Sequence, residues 1–523
     1  PIPEPALPRL ADATEALGLA EQQATYVNWL DANNNGLPDL LVNGDRLFLN
    51  QGPPFYKFAP APPEFWAGAR QGPALGVDVD NDGWTDIVST QGQLWLNQQG
   101  NGFRDAAEAW GFAPHPKGNV LAAGDFNGDG WPDLFLGMKE DWNDGKPAYY
   151  EHELWLNREG KGFREAGKAA GIRRKTYARA ALVFDADGDG HPDIFVGNYR
   201  LQPNFLWLND GKGGFRDAAR DWGVAGRKDP GLHLDPVTKQ RHGPSYGHTI
   251  GACLLDFDND GHLDLFAANL VHKYVGPSRG GGYDIRGYVC DDSAIWRRQG
   301  DQFVDWRAQL GVPPLPIGPK GVYQGDELWA GCVAGDANND GWEDVFVPQI
   351  YNLDYARCRL FLNAGGRRLL DRAQAAGLSS IDSYAGAWAD LDGNGRLDLA
   401  TAGRTGVDQP PRLRLHRNEG GEGMMNHLWL KVALAPGPER RTPLGSIVAV
   451  TQGEKTWVRQ HTCGTSTYGQ QNDPLLHFGL GPDDSPVTVT VRWPNGATTT
   501  RTTPPATTLS LSMPARQPAE EKP

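Results

Sequence analysis

No apolar run in the 523 residues is long enough to cross a bilayer as a helix, so no membrane span is expected. Long helical periodicity is missing as well. Cysteine is scarce. Cys253, Cys290, Cys332, Cys358 and Cys463 show no CxxC pair and no zinc spacing, and an odd number leaves at least one unpaired within the chain. The rest are either small buried apolar groups or members of one or two disulfides. Basic charge is in deficit: 50 Lys and Arg stand against 64 Asp and Glu, a formal net charge of −14, which argues against nucleic acid as a partner. No HExxH motif occurs. No leader is visible and the chain opens on Pro1 rather than Met, which gives the expectation of an export signal already removed and an extracellular or periplasmic location.

What is abundant is Gly (67) and Pro (40), a composition that favours many short strands and turns. Acidic residues recur in a fixed frame of nine. Asp185–Asp193 reads DADGDGHPD, with oxygen-bearing side chains at positions one, three, five and nine and Gly190 at six. The frame occurs seven times, which gives the candidate metal ligands Asp31, Asn33, Asn35 and Asp39; Asp78, Asp80, Asp82 and Asp86; Asp125, Asn127, Asp129 and Asp133; Asp185, Asp187, Asp189 and Asp193; Asp256, Asp258, Asp260 and Asp264; Asp336, Asn338, Asp340 and Asp344; and Asp390, Asp392, Asn394 and Asp398. Oxygen ligands at alternate positions of a tight loop converge on one point, and the Gly permits the sharp turn, as a hard cation such as calcium requires. These are not EF-hands, because position twelve is Val42, Ser89, Leu136, Val196, Ala267, Val347 or Thr401 where a bidentate Glu would be needed. Seven divalent cations would offset the net charge of −14. The bland alternative, a metal-free Asp-Gly hairpin turn, loses ground with each repetition.

The loops start 47, 47, 60, 71, 80 and 54 residues apart, and each sits in the same unit. An apolar strand leads into the Asp loop, a second strand such as DIFVG leaves it, a third reads LFLN or LWLN, and a coda such as GFRDAAEAWGF (Gly102–Phe112) follows. One unit per four-stranded blade predicts an all-β, seven-bladed β-propeller over residues 1–422. The segment Leu10–Leu19 reads like a coda with no third strand before it, and the seventh unit ends at Asn418 without a coda, so the N-terminal segment is expected to complete the last blade and seal the ring. From residue 423 to 513 the strands alternate without Asp loops, which predicts a small C-terminal β-sandwich, separable at the Gly-containing linker Glu419–Met425; residues 514–523 form a charged tail expected to be disordered.

The repeats resemble the FG-GAP/VCBS family, which includes the calcium-bearing propeller of integrin α subunits. The segment after them is similar to the ASPIC/UnbV domain through Pro443–Val450 (PLGSIVAV), Val458–Gly481 and Val487–Gly496 (VTVTVRWPNG). The FG and GAP marks of the integrin version are mostly absent, and no RGD occurs. The resemblance implies calcium-dependent folding and extracellular or periplasmic binding, without naming one ligand or reaction.

In an antiparallel blade every Asp loop falls on one face, and the insertions fall on the other. Surface loops on a rigid scaffold are where binding residues concentrate. The widest spacings flank units five and six, which makes His242, Tyr246, His248, His272, Tyr274, Tyr283 and Trp329 the candidate ligand-binding residues for a protein or glycan. A second, transition-metal site held by His242, His248 and His272 is the sharper alternative and would make the protein a metal-dependent enzyme. The plainer reading is that these aromatic and His residues pack long loops onto the scaffold.

Overall fold

The computed structural model describes residues 4–66, 68, 70–144, 146–226, 246–272, 291–314, 326–464 and 467–516. Among the described residues there is no helix; the elements are strands. Seven antiparallel sheets succeed one another along the chain, and their first strands are Val27–Leu30, Ala74–Val77, Gly118–Gly124, Tyr177–Phe184, Thr249–Leu255, Val333–Gly335 and Ile381–Ala389. In each, the Asp loop joins the first strand to the second, and the second begins on the Asp at position nine. The third strand ends the LWLN-like run, and only the opening residues of the coda, such as Phe103–Asp105 or Phe215–Asp217, form the fourth. The rest of the coda folds back as a turn.

The second strands are buried along nearly their whole length, which is why they read as continuous apolar runs rather than alternating ones. Their side chains fill clusters that join adjacent sheets. One unites Phe195 and Leu206 of the fourth sheet with Leu265 and Trp296 of the fifth. Another unites Trp29 and Leu40 of the first with Ala387 and Leu415 of the seventh. The seventh sheet takes its fourth strand from the N-terminus: Leu10–Asp12 pairs with Arg412–Asn418, Leu10 opposite Asn418, and covers what would be an open sheet edge. The fifth sheet gains a further strand, Asp326–Leu328, on the end of Asp264–His272.

The Asn that ends the third strand ties each sheet to the one before it. The Asn97 amide donates to the Ala32 carbonyl, Asn157 to Val79, Asn209 to Phe126, Asn363 to Phe257 and Asn418 to Ala337. Asn50 reaches from the first sheet to Leu391 of the seventh. The fifth sheet has Arg298 at this position, so the bond is missing between the fourth and fifth sheets.

Beyond Asn418 two sheets enclose a separate apolar core. Leu428–Ala435 lies between Leu476–Gly481 and, in parallel, Thr507–Ser512. Lys455–Gln460, Ile447–Gln452, Val487–Arg492 and Thr498–Thr503 form the second sheet. Leu430, Val450, Trp457, Phe478 and Val489 share the core between them.

This module is not the appendage that its linker suggests. Its segment from His461 to Pro474 runs among the first strands of the seven sheets. Asn28 donates to the Gly469 carbonyl, and Cys463 Sγ to that of Gly76. The Ala123 amide meets the Cys463 carbonyl, and the Tyr468 amide donates to Arg179. Thr467 Oγ1 donates to the Ala330 carbonyl and stands where a side chain on Gly251 would project. Gln470 donates to the Tyr384 carbonyl, and Trp388 to Asn472 Oδ1. The shaft satisfies buried backbone groups in the repeats, and removing it would leave them unpaired. Cys253, Cys332, Cys358 and Cys463 are buried and in no disulfide among the described residues, and Cys290 lies outside them.

Candidate metal centres

The nine-residue frame builds its own geometry. The Asp at position one accepts the amide of the Gly at six in every loop, as in Asp78 with Gly83 (2.8 Å) and Asp390 with Gly395 (2.9 Å). The Asp at nine accepts twice: one oxygen takes the amide at position two, the other the amide of the residue that ends the third strand, as in Asp86 with Val79 and Asn97. Each carboxylate oxygen has a further lone pair, so both bonds leave room for a cation. Position four has left-handed backbone, with φ of 49° at Asn81 and 57° at Asn339, which accounts for its restriction to Asn or Gly. Where it is Asn, its amide crosses to the next loop: Asn34 to Gly83, Asn81 to Gly130, Asn259 to Gly341 and Asn339 to Gly395.

Four carboxylate groups have oxygens within 4.8 Å of one another: Asp78, Asp80 and Asp86; Asp185, Asp187 and Asp193; Asp256, Asp258 and Asp260; and Asp390, Asp392 and Asp398. Burial is the main force on their protonation. It pushes Asp78 up to about 7, with Asp80 and Asp82 adding repulsion, and raises Asp193 and Asp398 to about 8. Asp125 Oδ1, Asp258 Oδ1 and Asp390 Oδ1 are buried without a hydrogen-bond partner. Clustered, buried, partnerless carboxylate oxygens fit a hard divalent cation and are compatible with calcium. Positions one, three, five and nine are the residues that would hold it.

The loops are not equivalent. Arg297 pairs with Asp258 (2.5 Å) and Asp260 (3.0 Å) in the fifth. In the seventh, Lys431 pairs with Asp390 (2.6 Å) and Arg417 with Asp392 (2.7 Å), so protein cations already sit on these carboxylates. In the third and sixth, the side-chain amides of Asn127 and Asn338 donate to Asp129 and Asp340. The first loop has only Asp31 and Asp39 as charged ligands beside Asn33 and Asn35. The second and fourth are left as the strongest candidates.

The C-terminal module sits against this end of the sheets. The Arg440 guanidinium donates to the Asp80 and Asn81 carbonyls, Arg441 to Gly128, and the Gly481 amide to Asn339. Arg459 pairs with Glu343 at 3.1 Å. Gly395 has no room for a side chain, because the Trp429 indole lies 1.8 Å from where its Cβ would stand.

The residues expected to bind a ligand fall differently from the surface pictured for them. Tyr246, His248 and Trp329 are buried, Tyr246 in the cluster between the fourth and fifth sheets and Trp329 stacked on Phe266. The Tyr246 and Trp329 rings belong to core clusters of the sheets. His272 ends a strand, and His242, Tyr274 and Tyr283 lie outside the described residues. Exposed aromatics do occur at Trp142 and Tyr355, both in insertions that follow second strands. Two segments, Gly243–Gly247 (GPSYG) and Gly276–Gly280 (GPSRG), spell the GxSxG pattern. The serines at their centres, Ser245 and Ser278, lie outside the described residues. Pattern reading also passed over the third-strand Asn and the left-handed position four, whose signal was a polar residue fixed at the end of an apolar strand.

Residues 78–136, 185–267 and 336–401 match the FG-GAP-like repeat family, and residues 437–518 match ASPIC and UnbV. The chain thus carries FG-GAP-like repeats followed by an ASPIC/UnbV domain. It is similar to cartilage acidic protein 1: 28% identical to that of Xenopus tropicalis over 344 residues, which cover 63% of this chain and 44% of the relative. The human protein is 26% identical over 349 residues, with 65% and 44% covered. The chain spans less than half the length of the curated relatives it matches. Among solved structures, the V. cholerae biofilm matrix protein Bap1 is 12% identical with a TM-score of 0.32, covering 79% of this chain and 91% of that one. A Bacillus licheniformis rhamnogalacturonan lyase is 14% identical with a TM-score of 0.30, covering 97% and 92%. Neither score defines a common fold. No helix among the described residues is long and apolar enough to cross a membrane.

Proposed function

We propose that the protein is a calcium-stabilised binding module that works outside the cytoplasm, built as a seven-bladed β-propeller closed by its N-terminal strand, with its C-terminal β-sandwich anchored in the ring. The observation that carries the reading is the division of its two ends. The Asp loops gather at one end beneath Arg440, Arg441 and Lys431 of the C-terminal module. The insertions, with exposed Trp142 and Tyr355, leave from the other ends of the strands. Calcium at the loops holds the scaffold, and the opposite end recognises a protein or glycan. Similarity to proteins named for cartilage agrees with an extracellular site of action. His242, His272, Tyr274 and Tyr283 stay candidates for ligand contact, beside Tyr246, His248 and Trp329.

The test pairs calcium counting with binding. The chelated protein should hold no calcium and melt lower, the reloaded protein should take up several ions, and binding to a panel of matrix proteins and glycans should require calcium. A melting curve indifferent to verified calcium removal would sink the reading.

A further inference from the structure

Among the described residues, one cation on a first strand stands where no carboxylate answers it. Arg179 lies on the first strand of the fourth sheet, in the run YARAALVF, at the end away from the Asp loop. The other first strands carry no Lys or Arg, so a guanidinium here is out of pattern. Tyrosine rings surround it: Tyr177 at 4.8 Å and Tyr199 at 4.7 Å from its own sheet, Tyr384 at 6.0 Å from the seventh, and Tyr468 at 5.5 Å from the C-terminal shaft. Tyr26, which leads into the first sheet, packs edge-on to Tyr468 at 5.1 Å. Sheets one, four and seven and the shaft thus converge on one recess.

The recess has a floor and an opening. Tyr468 is buried and holds left-handed backbone, φ 60°, next to Gly469 at the tip of the shaft. A tyrosine held there is costly and persists only where its surroundings fix it. Arg179, Tyr26, Tyr177, Tyr199 and Tyr384 are partly exposed above it. Arg179 donates to the Tyr468 hydroxyl, while its Nε finds no acceptor. No carboxylate among the described residues pairs with it. The charged groups beside the recess are already matched: Arg200, stacked on Tyr199, pairs with Glu140 at 2.8 Å, and Asp382 pairs with Arg404 at 2.6 Å. Cation–π attraction from four rings offsets part of the cost of desolvating the guanidinium, but it leaves a whole positive charge without a counter-ion in an otherwise acidic chain.

We propose that this recess binds a carboxylate group of a ligand that enters from the end opposite the Asp loops. A single guanidinium matches a monoanionic, planar carboxylate in charge and shape, whereas a phosphate dianion would call for a second cation, and Arg200, the cation stacked on Tyr199, is paired with Glu140. The phenol hydroxyls supply the remaining hydrogen bonds. The inference deepens the proposed binding role by naming a ligand chemistry, yet it rests on the recess and not on calcium.

The experiment is titration calorimetry on the full calcium-loaded chain with acetate, D-glucuronate and N-acetylglycine, and D-glucose as the neutral control. Saturable binding of at least one carboxylate at millimolar concentration, with none of glucose, is expected. Arg179→Gln should weaken it at least about tenfold, as loss of a charge-assisted bond does, and Arg179→Lys should keep part of it. Tyr26→Phe and Tyr384→Phe, which keep the rings, serve if Arg179→Gln does not fold, and one of them should weaken binding. Preference for glucuronate marks a sugar acid as the natural source, and preference for N-acetylglycine a peptide terminus. No saturable binding by any carboxylate, or binding unchanged in all these variants, overturns the site. Neither result depends on whether chelation lowers the melting temperature, so failure here is separable from failure of the calcium reading.

Discussion

Asn157 shows how much one polar side chain does in this architecture. Its amide donates to Val79 of the preceding sheet at 2.8 Å and to Pro132 at 3.0 Å, and its Oδ1 accepts the Gly160 amide at 2.9 Å. Asn157→Ala removes these bonds and leaves buried carbonyls unmatched, so a loss of about 2–4 kcal/mol in urea unfolding is expected, given about 1 kcal/mol per bond and more for an orphaned buried group. The same change at an exposed Asn such as Asn101 should cost almost nothing. His152 gives a pH dependence of known sign. It is wholly buried, bonded to Thr176, and burial pulls it down to about 4 from an ordinary value of 6.5. Between those values the unfolded chain binds a proton that the folded chain refuses, so stability falls as pH drops from about 6.5 to about 4. The contribution is on the order of 3 kcal/mol at most. Measured at saturating calcium, wild type should lose more stability over this window than His152→Gln; equal slopes would remove His152 from the account.

At the scale of the loop, the ranking of sites can be tested directly. Asp187 belongs to a cluster with Asp185 and Asp193, whereas Asn33 is a neutral member of a loop with two carboxylates. Asp187→Ala should therefore lower calcium stoichiometry or affinity more than Asn33→Ala, read by calorimetry on chelated and reloaded protein. Each occupied site adds about 2.7 kcal/mol at a calcium concentration about 100 times its Kd, so chelation should lower the melting temperature in proportion to the sites that fill. The loops were legible in the sequence because ligand chemistry fixes the letters and their spacing together. The strands around them were legible because burial on both faces leaves unbroken apolar runs. The Thr-rich strands Thr498–Thr503 and Thr507–Ser512 carry no such run and escaped notice. The shaft was illegible for a different reason. Its residues look like an ordinary polar loop, and their partners lie far along the chain, as Gly469 does from Asn28, 441 residues away. Arg179 was passed over because nothing local marks a cation whose ring partners come from three sheets and the shaft.

The whole molecule behaves as one unit if the shaft is structural. It bonds to first strands of successive sheets, and the N-terminal strand pairs with the last strand before the linker. The seam between the fourth and fifth sheets has neither an Asn bond from the third strand nor a loop-to-loop amide, since Arg298 and Gly188 stand at those positions, and apolar burial carries it instead. Unfolding under denaturant should begin there, read as early hydrogen exchange in Tyr177–Phe184 and Thr249–Leu255 ahead of the other first strands. A chain ending at Asn418 keeps every Asp loop and the closing strand Leu10–Asp12, yet it loses the shaft and exposes the first strands it satisfied. Such a chain should be insoluble, or should melt well below the full chain without regaining its stability in calcium. Replacing Thr467–Gln471 with a Gly-Ser stretch of equal length should reproduce most of that loss while leaving the C-terminal core around Trp457 and Phe478 folded. If the truncated chain instead melts with the full chain's midpoint and binds the same number of calcium ions, the seven sheets support themselves, and the shaft serves the recess at Arg179 rather than the ring.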